Sequence, residues 1–505
     1  MTHRRELAWC LAAAAVLVAA RGMLFMAPGV RFDADQAIVG LMAKHISEGR
    51  AFPLFFYGQS YLPALEAYLA VPVMWLLGPT EAALKVPVVA MNVLAVLLLV
   101  WSAHRDLGLR PAVALAGALP LIVPPFVPGT RVLEAMGGNV EPLLATLLLW
   151  VTRERPWLFG VVLALTLAQR EITAFPVTAL LVLTIVHGGW RLPAVRERWV
   201  IAGVLAVAVS ASLDAIRPFA AMFGPGTVAR PAALDISGGD AIAAQFCLDP
   251  TRWASRADLL LSEHLPLMMG GRSAPAVEAG VSSGIWHGNP AIGPWVLALS
   301  AAALAAAWAR RHRPAEGPES GGTIPGSSLP WFLALTGLVC VLTYWLVACS
   351  QISYNSLRYD LLVLLVPTGL ILAGLRRSRR EVQAGLAAAV CVWCWASALD
   401  YRALAREVSS GRWPDHRGTL VRLLEERGIR ELWGEFRLAY LVSFRSAERV
   451  VVASTSIHRI DEYAARARAA HAQMLRTVPC PGGEQLVPGI WLCPPPAPDE
   501  LPPVY

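Results

Sequence analysis

Apolar runs about as long as a bilayer is thick alternate along the chain with short polar segments rich in arginine. An α-helix needs about 17–25 apolar residues to cross the hydrocarbon core of a membrane. We predict about eleven such helices, and therefore an α-helical polytopic membrane protein. The predicted spans are 7–28, 82–103, 111–128, 133–151, 156–169, 172–187, 199–213, 291–309, 330–349, 359–375 and 381–399.

A further apolar run, 61–78, contains Pro63, Glu66 and Pro72. Loops rich in arginine face the cytoplasm. If 61–78 lies flat in the outer interface, five arginine-rich loops share the cytoplasmic side with the N-terminus; if it crosses, all five move outside. We therefore predict an interfacial helix at 61–78. The loops are Arg105/Arg110, Arg153/Arg155, Arg191/Arg196/Arg198, Arg310/Arg311/Arg313 and Arg376/Arg377/Arg379/Arg380.

This topology places the larger polar segments outside the cytoplasm. They are 29–81, 214–290, 350–358 and the chain after residue 400. The inner face receives only short basic turns, so any chemistry is predicted to be extracytoplasmic. The predicted location is the inner (plasma) membrane of a bacterium, as a multi-pass protein with a cytoplasmic N-terminus.

Two domains are predicted: a transmembrane domain at 1–399 and a small soluble α/β domain at 400–505. In the second, helical and strand-like segments alternate before a proline-rich end. Cys480 and Cys493 would lie in an oxidising compartment, where they can form a disulfide. The sequence leaves open whether they do.

Composition agrees with a membrane protein. Of the 505 residues, 56% are hydrophobic and 16% are charged, whereas soluble domains carry about 25% charged residues. This excludes a soluble globular, a disordered and a fibrous protein. The net charge is +7, but the arginines flank apolar spans and do not share one amphipathic face, so we expect no nucleic-acid partner.

The segment 31–68 holds most of the candidate chemistry. Asp33 and Asp35 follow the first span at the membrane edge, and an amphipathic helix is predicted at 37–47. Gln59, Tyr61 and Glu66 then interrupt the apolar pattern. Carboxylates in a partly dry cavity are suited to act as a general base or a metal ligand. Charged groups at a bilayer edge also serve as solvated anchors, and the residues alone do not choose between the two roles.

This segment resembles the first outer loop of GT-C-type membrane glycosyltransferases, which include protein O-mannosyltransferases, lipid A aminoarabinose transferases and bacterial family 39-like proteins. Asp35-Gln36-Ala37 stands where these proteins have a short acidic motif, with Gln36 in place of the usual glutamate. EAMGGNVEPLLATLLLW (134–150) resembles their Gly-Gly segment, and 431–454 is similar to a soluble C-terminal domain of one bacterial subgroup.

The resemblance implies inverting transfer of a sugar from a polyprenyl-phosphate carrier to an extracytoplasmic glycan, lipid or protein acceptor. Asp35 is then the expected general base, and Asp33 is the candidate for the second carboxylate. Gln59, Tyr61 and Glu66 are expected to line the substrate cavity. Whether a divalent metal ion takes part stays open.

The leaving lipid phosphate requires cations on the outer side. Arg358-Tyr359 resembles an Arg-Tyr pair of the family, so both residues are expected to bind substrate. Arg131 and Arg170 are further candidates, with a helix-end anchor as the equal alternative for each. Glu134 lies near the same edge and is a further substrate-binding candidate, which could also balance an arginine or join a metal site.

Two other functions stay open at the level of sequence. A lipid or glycan transporter or flippase is one, because prolines break the third predicted span, although no internal repeat is evident. A catalytically inactive GT-C relative is the other, because Gln36 replaces a carboxylate.

Overall fold

A computed structural model describes residues 2–136, 139–216, 219, 247–271, 290–309, 324–347, 354–411 and 415–497. Much of the predicted outer loop 214–290 and of the proline-rich end lies outside these ranges. The statements below concern the described residues.

Six helical segments are long and apolar enough to cross a membrane, and six shorter apolar helices accompany them. The six long segments are Arg4–Leu24, Glu81–Leu107, Pro193–Ile216, Gly326–Val347, Ser356–Arg377 and Arg380–Ser409. The predicted class, an α-helical polytopic membrane protein with a small sheet domain, is confirmed. The helices up to Ser409 are α1 Thr2–Leu24, α2 Ala34–Ser47, α3 Leu65–Leu77, α4 Glu81–Leu107, α5 Pro111–Ile122, α6 Phe126–Arg131, α7 Glu141–Thr152, α8 Pro156–Gln169, α9 Ala174–Val186, α10 Pro193–Ile216, α11 Trp253–Leu259, α12 Leu265–Met269, α13 Ile292–Trp308, α14 Leu329–Val347, α15 Leu365–Arg377 and α16 Arg380–Ser409.

Several predicted helices differ from the structure in their bounds. The span 111–128 is broken between α5 and α6, where Pro125 precedes the first residue of α6, because proline lacks the N–H that continues a helix. The span 133–151 becomes helical only at Glu141. The segment 61–78 begins as strand β2 (Gln59–Pro63), which pairs with β1 (Phe55–Phe56), so its helix α3 starts at Leu65.

Several basic loops meet at one end of the helical bundle. Asp106, at the end of α4, accepts a hydrogen bond from the Trp150 indole at 2.7 Å and lies 3.7 Å from Arg153. Arg198 donates to the backbone carbonyl of Arg153. The opposite end of α1 and α4 carries the segment 25–80 and the acidic residues described below.

After α16 the chain forms a mixed five-stranded sheet in the order β4-β3-β5-β7-β6. β3 is parallel to β4 and β5, whereas β7 is antiparallel to β5 and β6. Cys480 and Cys493 form a disulfide, with their Cα atoms 6.0 Å apart. The elements are α17 His416–Glu426, β3 Glu431–Gly434, α18 Phe436–Arg445, β4 Val451–Ser454, α19 Asp461–Ala469, β5 Met474–Arg476, β6 Glu484–Val487 and β7 Ile490–Cys493.

The sheet domain packs directly on α2. Buried residues of α2, α3 and the sheet domain belong to one hydrophobic cluster. Phe444 of α18 stacks on Phe32, with ring centroids 5.5 Å apart. Gly40 makes this approach possible, because a Cβ atom there would lie 2.5 Å from the Phe444 ring. The sheet domain, predicted to be soluble, therefore shares its core with the helix that follows Asp33.

Candidate active site

Helix α2 begins where its first acidic residue can cap it. Asp33 is the N-cap, and its Oδ1 accepts a hydrogen bond from the Gln36 N–H at 3.0 Å. The helix therefore starts at Ala34, three residues before the predicted Ala37, because the aspartate satisfies one of the free N–H groups of its first turn. This cap fixes the position of Asp35 in that turn.

Asp35 is partly buried, with about a third of its side chain (35%) exposed. Burial, reinforced by the charges of Asp33 and Glu134, raises the pKa of Asp35, and the positive charges of Arg358 and Arg459 offset part of that rise. A carboxylate with a raised pKa is a better proton acceptor than an ordinary aspartate. The environment of Asp35 is thus suited to general-base chemistry.

Arg358 is the cation whose pairing with Asp35 is direct. Its Nη1 lies 3.9 Å from Asp35 Oδ2, and its Nη2 donates to the Tyr359 hydroxyl at 3.1 Å. Both residues lie in the 3-10 helix Tyr354–Leu364, which leads into α15. The structure thus brings three predicted site residues together from two distant parts of the chain: Asp35, and the consecutive Arg358 and Tyr359.

A second ionic group lies beside the first, in the irregular segment before α7. Glu134 is fully buried and lies 2.6 Å from Arg31 Nε and 3.1 Å from Arg131 Nη1. Asn139 also donates to Glu134, at 3.1 Å. Arg131 and Glu134, both predicted to contact substrate, are here bound to each other.

Gln36 joins the acidic loop to this neighbouring group. Its side-chain amide donates to the Arg31 carbonyl at 3.1 Å and accepts from the Ala135 N–H at 3.3 Å. A carboxylate could not donate the first of these two hydrogen bonds. The glutamine that departs from the family motif is therefore a structural link in this chain.

The remaining predicted residues lie farther along the same outer segments. Gln59 starts β2 and is half-buried, and Glu66 is buried in the first turn of α3. The backbone of Tyr61 lies in β2, but its side chain is outside the described part of the structure. Arg170 follows α8 and pairs with Glu171 at 4.0 Å. Among the described contacts, none joins Gln59 or Arg170 to Asp35.

Three cations that shape the loop were not predicted as site residues. Lys85 is buried in α4, and its Nζ donates to the carbonyls of Phe25, Val30 and Arg31 at 2.7, 2.8 and 3.1 Å. The sequence did contain a signal for Lys85: the chain has two lysines, and a charged residue inside a predicted span, as this one is, often has a functional role.

The other two cations come from the soluble domain. Arg417 donates to the Phe32 carbonyl at 2.6 Å, and Arg459 donates to the Gly58 carbonyl at 2.7 Å. Neither belongs to a motif, so sequence offered no signal for them. Together with Lys85, they hold the main chain on both sides of Asp35.

A metal centre was left open by the sequence. In the part of the chain that the structure describes, no group of three His, Cys, Asp or Glu side chains converges as ligands for a metal ion.

Comparison with solved structures identifies proteins that share this fold. ArnT from Cupriavidus metallidurans bound to undecaprenyl phosphate superposes with a TM-score of 0.57 and 11% identity, over 98% of this chain and 99% of that one. The predicted GT-C fold is therefore confirmed.

Two further structures match with lower TM-scores. The apo state of the same ArnT gives 0.43 at 14% identity over 94% of this chain and 93% of that one. The archaeal oligosaccharyltransferase AglB from Archaeoglobus fulgidus, in complex with an inhibitory peptide and a dolichol-phosphate, gives 0.44 at 12% identity over 93% and 69%. No protein-family model matches the chain, and no curated protein matches it in sequence.

Proposed function

We propose that this protein is an integral-membrane glycosyltransferase that moves a sugar from a polyprenyl-phosphate carrier to an acceptor outside the cytoplasm. The observation that carries the proposal is the pairing of Asp35 with Arg358 at 3.9 Å, on the GT-C fold. It puts a proton acceptor beside a cation at one end of the membrane helices. Both groups are needed when a hydroxyl displaces a lipid phosphate.

The proposed reaction is a single displacement. Asp35 accepts the proton of the acceptor hydroxyl as its oxygen attacks the anomeric carbon. The bond from that carbon to the phosphate oxygen breaks, and polyprenyl phosphate leaves with the bonding electrons. Attack from the face opposite the leaving group inverts the anomeric centre.

Arg358 is proposed to stabilise the charge that develops on the leaving phosphate. A guanidinium can donate two parallel hydrogen bonds to phosphate oxygens, and the side chain of Arg358 is 29% exposed, so it is accessible to a ligand. Tyr359, whose hydroxyl already contacts Arg358, would hold the guanidinium or reach the sugar. Asp33 supports Asp35 through its charge and by capping α2.

The donor class follows from the bound lipid of the structural neighbour, since ArnT was solved with undecaprenyl phosphate. Helix α3 is apolar and packs on α2, which carries Asp35, so we propose that a lipid donor enters sideways from the bilayer. The acceptor would be an extracytoplasmic glycan, lipid or protein. The proposal places the protein in a bacterial plasma membrane, with its N-terminus inside and its soluble domain outside.

The test is transfer of radiolabelled sugar from a polyprenyl-phosphate donor by protein reconstituted in vesicles. Removing a general base typically costs about 10²–10⁴-fold in rate, so Asp35→Asn should nearly abolish transfer and leave expression intact. Asp33→Asn keeps an N-cap, because asparagine caps as well as aspartate, and should retain measurable activity.

Asp258→Asn is the matched control, because Asp258 is exposed on α11. It should transfer sugar at the wild-type rate. Wild-type turnover in Asp35→Asn would remove this residue from the mechanism and make Asp33 the next candidate. Lipid transport without sugar transfer by the wild-type protein would instead identify a flippase.

A further inference from the structure

Arg459 belongs to the soluble domain but reaches the outer loop of the membrane domain. It lies between β4 and α19, and its backbone N–H donates to the Tyr440 hydroxyl at 2.6 Å. Its Nη1 donates to the carbonyl of Gly58, in the turn between β1 and β2, at 2.7 Å. Only 7% of Arg459 is exposed. Arg459 is therefore held at its backbone by the sheet domain and at its guanidinium by the hairpin, two regions far apart in sequence.

The guanidinium also packs over an aromatic ring of the same hairpin. Its central carbon lies 5.8 Å from the centroid of Phe56, a cation–π distance. A buried guanidinium is costly unless it is hydrogen-bonded and its charge is compensated. The Gly58 carbonyl and the Phe56 ring offset part of that cost for Arg459.

Asp35 faces charged groups from four parts of the fold. Asp33 belongs to the same loop, Glu134 precedes α7, Arg358 lies in the 3-10 helix Tyr354–Leu364, and Arg459 comes from the soluble domain. Two of these charges are negative and two are positive. Of the two cations, Arg358 is partly exposed and proposed to bind substrate, whereas Arg459 is buried and held by the hairpin.

We propose that Arg459 is a positioning residue through which the soluble domain completes the catalytic site around Asp35. It would fix the hairpin β1-β2 beside α2 and supply a constant positive charge to the base. The role of Asp35 as base rests on the proposed function; the electrostatic effect of Arg459 on Asp35 does not. The two claims can therefore be tested separately.

The positive charge of Arg459 has a defined effect on the protonation of Asp35. A nearby cation favours the ionised carboxylate, so the positive charge of Arg459 lowers the pKa of Asp35 against the opposing effects of burial, Asp33 and Glu134. Without Arg459 the pKa of Asp35 would rise further, and more of the carboxyl would be protonated at a given pH. A lysine at this position would keep the charge.

The first experiment measures protonation of Asp35 without requiring activity. A hydrophobic carbodiimide reacts with protonated carboxyl groups, and mass spectrometry of the purified full-length protein gives the labelling of Asp35 at each pH. In Arg459→Gln we expect the labelling midpoint of Asp35 to move to higher pH, so that labelling at a fixed pH above the wild-type midpoint becomes faster. Arg459→Lys should restore the wild-type midpoint.

The second experiment follows the pH dependence of sugar transfer in vesicles. The acidic limb of kcat/KM should move to higher pH in Arg459→Gln and return in Arg459→Lys. Arg427→Gln, which removes an exposed ion pair with Glu484 on the same domain, is the control and should match the wild type. Size-exclusion chromatography checks that each variant is folded.

The outcomes separate the two claims. Identical labelling midpoints in wild type and folded Arg459→Gln would overturn the role of Arg459, whatever the transfer assay shows. A shifted midpoint that Arg459→Lys restores would support it. Absence of transfer by the wild-type protein would count against the proposed function alone, because the labelling result would still decide the effect of Arg459 on Asp35.

Discussion

The arginines around Asp35 differ in how their charge is compensated. Arg131 is 3% exposed and lies 3.1 Å from the fully buried Glu134, so its charge is neutralised within the protein. Arg358 is 29% exposed and lies 3.9 Å from Asp35, a separation beyond a close hydrogen bond. A phosphate could therefore bind Arg358 without displacing a tight partner, whereas binding to Arg131 would compete with Glu134.

Substitution of Arg358 should weaken donor binding more than acceptor binding. Lysine keeps the charge but loses the planar fork of donors, so Arg358→Lys should raise the donor KM and keep the fold. Arg358→Ala should raise it by about 10–100-fold, since a hydrogen bond to a charged group contributes about 1.5–3 kcal/mol. Initial rates at varied donor and varied acceptor would measure both constants.

Arg155→Ala is the control for Arg358. Arg155 is exposed beside α8 at the basic end of the bundle, and its removal should leave both constants unchanged. Equal donor KM values in the wild type and in both Arg358 variants would show that Arg358 only anchors the helix at the head groups. The phosphate role would then pass to Arg131 or Arg170.

At the residue scale, sequence predicted the groups that belong to local motifs. Asp35, Arg358 and Tyr359 stand at recognisable positions relative to predicted spans, and the structure brings them together. Arg459 could not be found in this way, because its contact with Gly58 depends on how a separate domain docks. The capping role of Asp33 was also missed, since the predicted helix began at Ala37.

At the scale of elements, helix α2 is held by a polar network as well as by its apolar face. Glu448, in the turn after α18, accepts hydrogen bonds from Lys44 at 2.6 Å and from the Tyr463 hydroxyl at 2.7 Å. His45 lies 3.0 Å from the same carboxylate and 2.9 Å from the Tyr57 hydroxyl. One carboxylate of the soluble domain thus connects the second half of α2 to α19.

We predict that Glu448→Gln destabilises the docked domain. Burial opposes ionisation of Glu448, but its hydrogen bonds with His45, Lys44 and Tyr463 hold the pKa of this carboxyl well below its ordinary value. Loss of the Glu448 charge leaves the buried Lys44 with Glu48 as its remaining carboxylate partner, at 2.7 Å. Breaking a buried pair costs up to about 3–5 kcal/mol, and the pair with Glu48 reduces that cost. Thermal unfolding of purified protein should show a clearly lower Tm near neutral pH.

The loss of stability in Glu448→Gln should depend on pH in a defined direction. Because the pKa is depressed in the folded state, ionised Glu448 contributes its full stability above about pH 4.3, the ordinary value for glutamate. That contribution falls as the pH drops below this value, so the Tm difference between wild type and Glu448→Gln should narrow. Glu484→Gln, which breaks an exposed pair with Arg427, should change Tm little at any pH. Equal effects of the two substitutions would contradict the network's role.

The helices were predictable from sequence where the length and pattern of an apolar run are enough to specify a helix. Spans such as 156–169 and 291–309 match α8 and α13 closely. The predicted helix bounds were wrong where local chemistry competes with hydropathy. Pro125 divides the third predicted span, and Tyr354–Leu364 forms a 3-10 helix before α15. Hydropathy averages over such features, because it measures transfer to the bilayer and not hydrogen-bond pattern.

At the scale of the whole molecule, the sheet domain and the arginine-rich loop after α4 lie at opposite ends of that helix. The soluble domain packs on α2, and Arg445 of α18 pairs with Glu81, the first residue of α4, at 2.7 Å. The far end of α4 carries Arg105 and Asp106, beside Arg153. If arginine-rich loops face the cytoplasm, the soluble domain and Asp35 lie together on the outer side.

Labelling of introduced cysteines would decide that topology. We predict that Arg427→Cys, on the exposed face of the soluble domain, reacts with a membrane-impermeant maleimide in intact spheroplasts. Arg155→Cys, at the basic end of the bundle, should react only after the membrane is permeabilised. The disulfide between Cys480 and Cys493 removes both native tail cysteines from the reaction, and the parent protein without either substitution gives the background. The reverse pattern would place Asp35 on the cytoplasmic face, where the extracytoplasmic acceptor of the proposed reaction could not reach it.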